Sequence, residues 1–394
     1  VTSRDHSSFR ISRRRAIAVV GVTAALAAVP DLALAAPAPS KPPTTGHLYV
    51  NLNASQANLV AGFARNADGT LTPLAGSPFS VGGTGTGAGL GSQGSIQLAH
   101  GGRYLLVADA GSNQISVLSV GSDGTLQPVA GSPFSSGGTN PVSIAVFNNT
   151  VFVANQGNGG SNYTGFILTG SGSLKPQSGS SWSLPDGSGV GQVLFDSTGT
   201  HLAGARVATS LIDSFVVGND GALTAAPGSP YAAPIAGPLG SAFRAASPTE
   251  LYVSLAHGGA LAGAVGAYTV ASNGSLAPIG ASPFADFQTA ACWLTLSPDQ
   301  KYVFTANAGS GSISSYAVNS DGSLTLNSTL ALRGGSGIGT FDLAFDPTGA
   351  YLYVVDGNVP QISILSVSGG TMTEITGSPV SLPSTPPAFG IAIK

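Results

Sequence analysis

Few side chains in this sequence can do acid–base or nucleophilic chemistry, so those that can stand out. Only 8% of the 394 residues are charged, and there are five His and one Cys. Arg206, with Gly204 removing bulk beside it, offers a guanidinium that could hold a carboxylate or phosphate, or pair with nearby Asp213. His257 opens the Gly/Ala-rich stretch 257–264 and could act as acid or base, or simply be solvated. Arg206 and His257 are the two candidate catalytic residues. Asp342 and Asp356 could bind a cation or orient a water. Two carboxylates are a thin ligand set for calcium, so no metal is expected. Asn51, Asp109, Asn155, Asn307 and Asp356 recur in equivalent places; they either touch a ligand or cap their own loops. Trp293 and Phe341 could stack on a sugar or pack in a core.

Other chemistries lack their residues. A lone Cys292 rules out an intrachain disulfide and a Cys-based zinc cluster. Gly89-x-Gly91-x-x-Gly94 matches a dinucleotide fingerprint by letters, but no strand–helix unit surrounds it. No Gly-x-Ser-x-Gly elbow occurs, which weakens a serine-hydrolase reading. No cofactor is expected.

The elements that must position these residues form a repeat. Asp68-Gly69-Thr70-Leu71 returns at Asp123–Leu126, Ser171–Leu174, Asp220–Leu223, Asn273–Leu276, Asp321–Leu324 and Gly369–Met372, at intervals of 48 to 55 residues. Asp-Gly between alternating strands is a hairpin signal, because Gly accepts positive φ. An alternating strand such as Ile115–Val120 precedes the turn, and apolar strands such as Tyr104–Ala108 and Phe341–Phe345 precede that. A fourth short strand follows and leads into Gly-Ser-Pro-Phe at Gly76–Phe79 and Gly131–Phe134. Four strands per copy and seven copies predict an all-β, seven-bladed β-propeller with four antiparallel strands per blade. The first copy begins on a second strand at Gly46, and the chain finishes on a first strand, Ala388–Lys394. Pairing these two closes the ring and removes exposed edges. Asn51, Asp109, Asn155, Arg206, Leu255, Asn307 and Asp356 then end the seven second strands, beside one mouth of the channel.

At this level the chain resembles the seven-bladed lactonase family, the group similar to 6-phosphogluconolactonase and carboxymuconate cyclase. The likeness rests on Ser297-Pro298-Asp299-Gln300-Lys301-Tyr302-Val303 with Asn307, and on Asp346-Pro347-Thr348-Gly349-Ala350-Tyr351. The chain is also similar to propellers whose repeat reads Tyr-Val-x-Asn. The resemblance implies a lactonase-type hydrolase acting on a small lactone or sugar-acid ester. Active members usually carry Pro-His at the start of certain inner strands. Here those strands begin Gln93-Gly94-Ser95-Ile96, Pro141-Val142-Ser143-Ile144, Val190-Gly191-Gln192-Val193, Ala291-Cys292-Trp293-Leu294, Thr340-Phe341-Asp342-Leu343 and Ala388-Phe389-Gly390-Ile391, without a His. The family's catalytic residues are therefore not carried over. A non-catalytic ligand-binding or cell-envelope interaction propeller is the alternative.

The N-terminal segment reads differently. Five Arg precede a mild apolar run from Ala16 to Val29, and Ala33-Leu34-Ala35 offers a small-residue cleavage site. Ser12–Ile17 resembles a twin-arginine export signal. The expected organisation is a signal peptide at 1–35, a Pro-rich linker at 36–45 and the propeller at 46–394. A bacterial secreted, periplasmic or cell-envelope location follows. Five of the 14 basic and two of the 17 acidic residues lie within the first 35, leaving 9 and 15. That balance argues against a nucleic-acid partner. A monomer without a membrane span after signal removal is expected, with a carbohydrate or lactone as ligand.

Overall fold

A computed structural model describes residues 42–246, 249–383 and 387–394 of the chain. The expected signal peptide lies outside the described residues, as does most of the Pro-rich segment. Thr44 already belongs to the first strand, Thr44–Asn51.

Seven antiparallel sheets form the blades of the propeller. The inner strands, from blade 1 to blade 7, are Ile391–Ile393, Ile96–Ala99, Pro141–Phe147, Val190–Phe195, Pro238–Arg244, Ala291–Leu296 and Thr340–Phe345. Blade 1 joins the two ends of the chain as the sequence predicts: Leu48 pairs with Ile393, Tyr49 with Ala392 and Val50 with Ile391. Among the described residues no helix is long and apolar enough to cross a membrane.

The repeated phrases have physical jobs. The seven turn glycines, Gly69 to Gly370, all have φ between 74° and 85°, where a side chain would strain the backbone. Their neighbourhood also latches adjacent blades. Tyr49, Tyr252 and Tyr353 donate their hydroxyls to the carbonyls of Gly124, Gly322 and Gly69, each in the next blade, at 2.8 to 3.0 Å. Ser214 and Ser315 do the same toward Gly274 and Gly370, both at 2.7 Å. In the Gly-Ser-Pro phrase the Ser hydroxyl accepts a third-strand N–H, as in Val117 to Ser132 and Ile364 to Ser378, both 2.9 Å. Apolar side chains of facing sheets fill the space between blades; Leu48, Phe63, Tyr353 and Ile364, for example, are all buried between blades 7 and 1.

Candidate functional site

The ends of the second strands are knitted into the blades. Asp109 accepts from Ser116 (2.6 Å) and from Asn58 of blade 1 (2.9 Å). Asn307 donates to Ser312 and Ser314 at 3.1 and 2.9 Å. Asp356 accepts from Gln361 and Ser363 at 3.0 and 2.7 Å. Asn155 donates to Asn162 at 2.8 Å, and Asn51 accepts the Asn53 N–H at 3.0 Å while donating to the Ala108 carbonyl. All five are fully buried. Each fastens the second strand to the third strand or to its loop, as Asx side chains do.

Arg206 obeys the same geometry with its charges exchanged. Its Nε donates to Asp213 Oδ2 at 2.7 Å, its Nη2 donates to the other oxygen, and the Tyr163 hydroxyl donates to Oδ2 at 2.8 Å. The pair is buried, so the guanidinium is committed to Asp213. Gly204 makes room for that tyrosine: a Cβ there would lie 2.0 Å from the Tyr163 hydroxyl. His257 is exposed on the loop that follows the second strand of blade 5.

The channel mouth on this side is filled. Trp293, Phe341 and Phe389 form a continuous stack, with centroids 4.8 and 4.6 Å apart. Leu90, Val190, Leu239 and Cys292 belong to the same buried cluster. The Trp293 indole donates to the Ser92 carbonyl at 2.7 Å, across the channel from blade 6 to blade 2. The two aromatic side chains that might have stacked on a sugar therefore pack as a plug. Burial raises the Cys292 thiol to about 12, which makes it inert.

Under the plug the inner strands begin with an irregularity. In blades 3 to 7 the register slips near the first residue, as between Ala291 and Trp293. A bulge leaves ladder groups without partners. Side chains of other blades supply them. Ser143 accepts the Val193 N–H at 3.1 Å, and Gln192 accepts the Ser241 N–H. The Gln93 side chain reaches across the channel and pairs with both backbone groups of Leu294, at 2.8 and 3.1 Å. Gly240 lets it pass, since a Cβ there would sit 2.3 Å from Gln93 Oε1. Asp342 accepts the Leu343 N–H at 2.9 Å and the Ile391 N–H of blade 1 at 3.3 Å.

This polar belt is the floor of a cavity of about 270 Å³ in the channel. Its lining runs from Gln93, Gln192 and Asp342 down the inner strands to Phe345 and Ile393, so it extends away from the plugged mouth. Gln97 adds a third amide. Among the eight residues proposed from sequence, only Asp342 lines this space. Asn51, Asp109, Asn155, Arg206, Asn307 and Asp356 are turned into the blades, and His257 lies on the loop after Leu255, against Gly237. Asp342 and Asp356 do not share a site, and among the described residues no group of three or more His, Cys, Asp or Glu could hold a metal.

Asp342 is the chemically distinctive group. Desolvation pushes its carboxyl up to about 7, against the opposing pull of the Leu343, Ile391 and Gly94 N–H groups and the Gln93 amide. No cation offsets the burial. Gln192 has its oxygen engaged by Ser241, which leaves its NH₂ as the free donor. A carboxylate that titrates near neutrality can take a proton from water, while a neighbouring amide donor stabilises the developing oxyanion. Gln93 and Gln192 were missed as candidates, although both stand at inner-strand starts, where the family places its Pro-His.

Comparison with known proteins agrees with this architecture. Residues 242–387 match the family model described as lactonase, 7-bladed beta-propeller. A candidate 6-phosphogluconolactonase of Bacteroides fragilis superposes with a TM-score of 0.71 at 19% identity, over 89% of this chain and 99% of that one. A periplasmic gluconolactonase of Pseudomonas aeruginosa gives 0.69 at 18%, over 88% and 98%. A Lactobacillus plantarum protein gives 0.69 at 18%, over 89% and 100%. No curated protein matches by sequence. At such identities the structural likeness carries the fold, and the family signature lies in residues 242–387. The chain is a seven-bladed β-propeller, and its residues 242–387 match the model of the seven-bladed lactonase family.

Proposed function

We propose that the channel cavity binds a small lactone or sugar-acid ester and that Asp342 acts there as general base for its hydrolysis. One observation carries this reading: a buried carboxyl with a pKa near neutrality lines a cavity furnished with amide donors. In the step envisaged, water adds to the ester carbonyl carbon while Asp342 takes its proton. The Gln192 NH₂ steadies the oxyanion. The ring C–O bond then breaks, and Asp342 returns the proton to the leaving alkoxide, giving the hydroxy acid. The Arg-rich leader supports an exported enzyme working outside the cytoplasm in a bacterium.

A second reading is a non-catalytic ligand-binding propeller of the cell envelope. It is favoured by the two backbone N–H groups that already occupy the Asp342 oxygens. A pH-stat screen of the purified protein against aldonolactones and acyl-homoserine lactones separates the two. The enzymatic reading expects turnover that rises through about pH 7 and falls on the order of a hundredfold or more in Asp342→Asn. Binding without turnover favours the second reading. Turnover unaffected by Asp342→Asn removes the residue assignment.

A further inference from the structure

The composition of the cavity says which ligands it accepts. Three amides, Gln93, Gln97 and Gln192, and one carboxyl, Asp342, are its polar side chains; the remaining lining is backbone and apolar side chain. No Lys, Arg or His lines it. Lys394 follows the lining residue Ile393, but its Nζ donates to the Gly102 carbonyl at 3.1 Å. A bound phosphate or carboxylate calls for an Arg fork, a Lys or a helix N-terminus. The cavity holds none of these and presents a carboxyl instead.

We infer that this cavity selects uncharged polyhydroxy ligands and turns away their phosphorylated and carboxylate counterparts. The inference rests on the channel-site reading above and narrows its substrate class. Gln93 is spent on Leu294, but the Gln97 amide and the Gln192 NH₂ can serve hydroxyl and carbonyl groups without needing charge. An anion a few ångströms from the Asp342 carboxylate meets like-charge repulsion, enough to weaken binding on the order of a hundredfold. The same asymmetry helps turnover. Ring opening converts a neutral ester into a carboxylate, which the Asp342 charge expels.

The test uses the full chain and three probes in calorimetric titration near pH 8: neutral gluconolactam, gluconate and 6-phosphogluconate. The expected result is measurable lactam binding with both anions on the order of a hundredfold weaker. Gln192→Arg should narrow that gap by bringing a cation to the floor, and Gln97→Trp should abolish lactam binding by filling the cavity. Binding of either anion as tightly as the lactam, sensitive to Gln97→Trp, overturns the selectivity and leaves the channel site standing. Absence of binding by all three probes, or binding indifferent to Gln97→Trp, overturns the channel-site reading together with the selectivity.

Discussion

Replacing Asp356 by Asn should stabilise this protein, and increasingly so as pH rises. Asp356 is fully buried at the end of the second strand of blade 7. Gln361 and Ser363 satisfy Oδ2, while Oδ1 and the Thr340 hydroxyl on the paired strand have no partner. Desolvation raises the carboxyl from 3.8 to about 7, with Glu374 adding a smaller push. The folded pKa lies above the unfolded one. The contribution is therefore fully present below pH 3.8 and is lost as pH rises through about 7. At about 1.4 kcal/mol for each tenfold change in proton affinity, the full loss is roughly 4 kcal/mol, an upper figure. Asn keeps the acceptor toward Gln361 and Ser363, adds a donor for Thr340 and never ionises. The chain already uses Asn there in blades 1, 3 and 6, as Asn51, Asn155 and Asn307. Thermal and urea denaturation of both proteins should show near-equal stability at pH 4 and a gap of about 2–4 kcal/mol at pH 8. A gap that is the same at both pH values, or a variant less stable at pH 8, would refute the reasoning.

Other substitutions probe the remaining joints. Arg206→Met should destabilise by about 3–5 kcal/mol, because it strands the buried Asp213 carboxylate; His257→Ala should leave both stability and channel binding unchanged, so any loss of turnover there would restore the loop as a site. Gly240→Ala should lower stability by about 2 kcal/mol or more by pushing Gln93 off Leu294. Combining it with Gln93→Ala should recover part of that loss in a double-mutant cycle, and strict additivity would deny the contact. Tyr353→Phe, which unlatches blade 7 from the Gly69 carbonyl, should cost about 1 kcal/mol in urea unfolding; no change would show that the hydroxyl is equally well hydrated elsewhere.

Much of the architecture was legible because it is local and repeated. Each Asp-Gly turn, alternating strand and Gly-Ser-Pro phrase carries its own signal, and the split first copy announces closure. The candidate site was legible only at Asp342, a charged residue at an inner-strand start. Arg206 stood out as a departure from the repeat, but the departure is a swap of partners: Asp213, which faces Gly204 on the next strand, took over the acid of the pair. Gln93 gave no such sign, since its partner Leu294 lies 201 residues away. Trp293 and Phe341 read as ligand platform or, more readily, as packing between blades, and packing is what the fold gives them.

Composition, period and turn chemistry by themselves determined an all-β ring of seven blades, because backbone hydrogen bonding and φ > 0 at glycine are short-range requirements. They also showed that charge is scarce. Which mouth of the channel is sealed, and that Asp342 lines the channel cavity, was decided only when seven distant inner strands met on one axis. Desolvation and long-range contacts act between residues the chain does not place together, so the chemistry of Asp342 exists only in the folded ring.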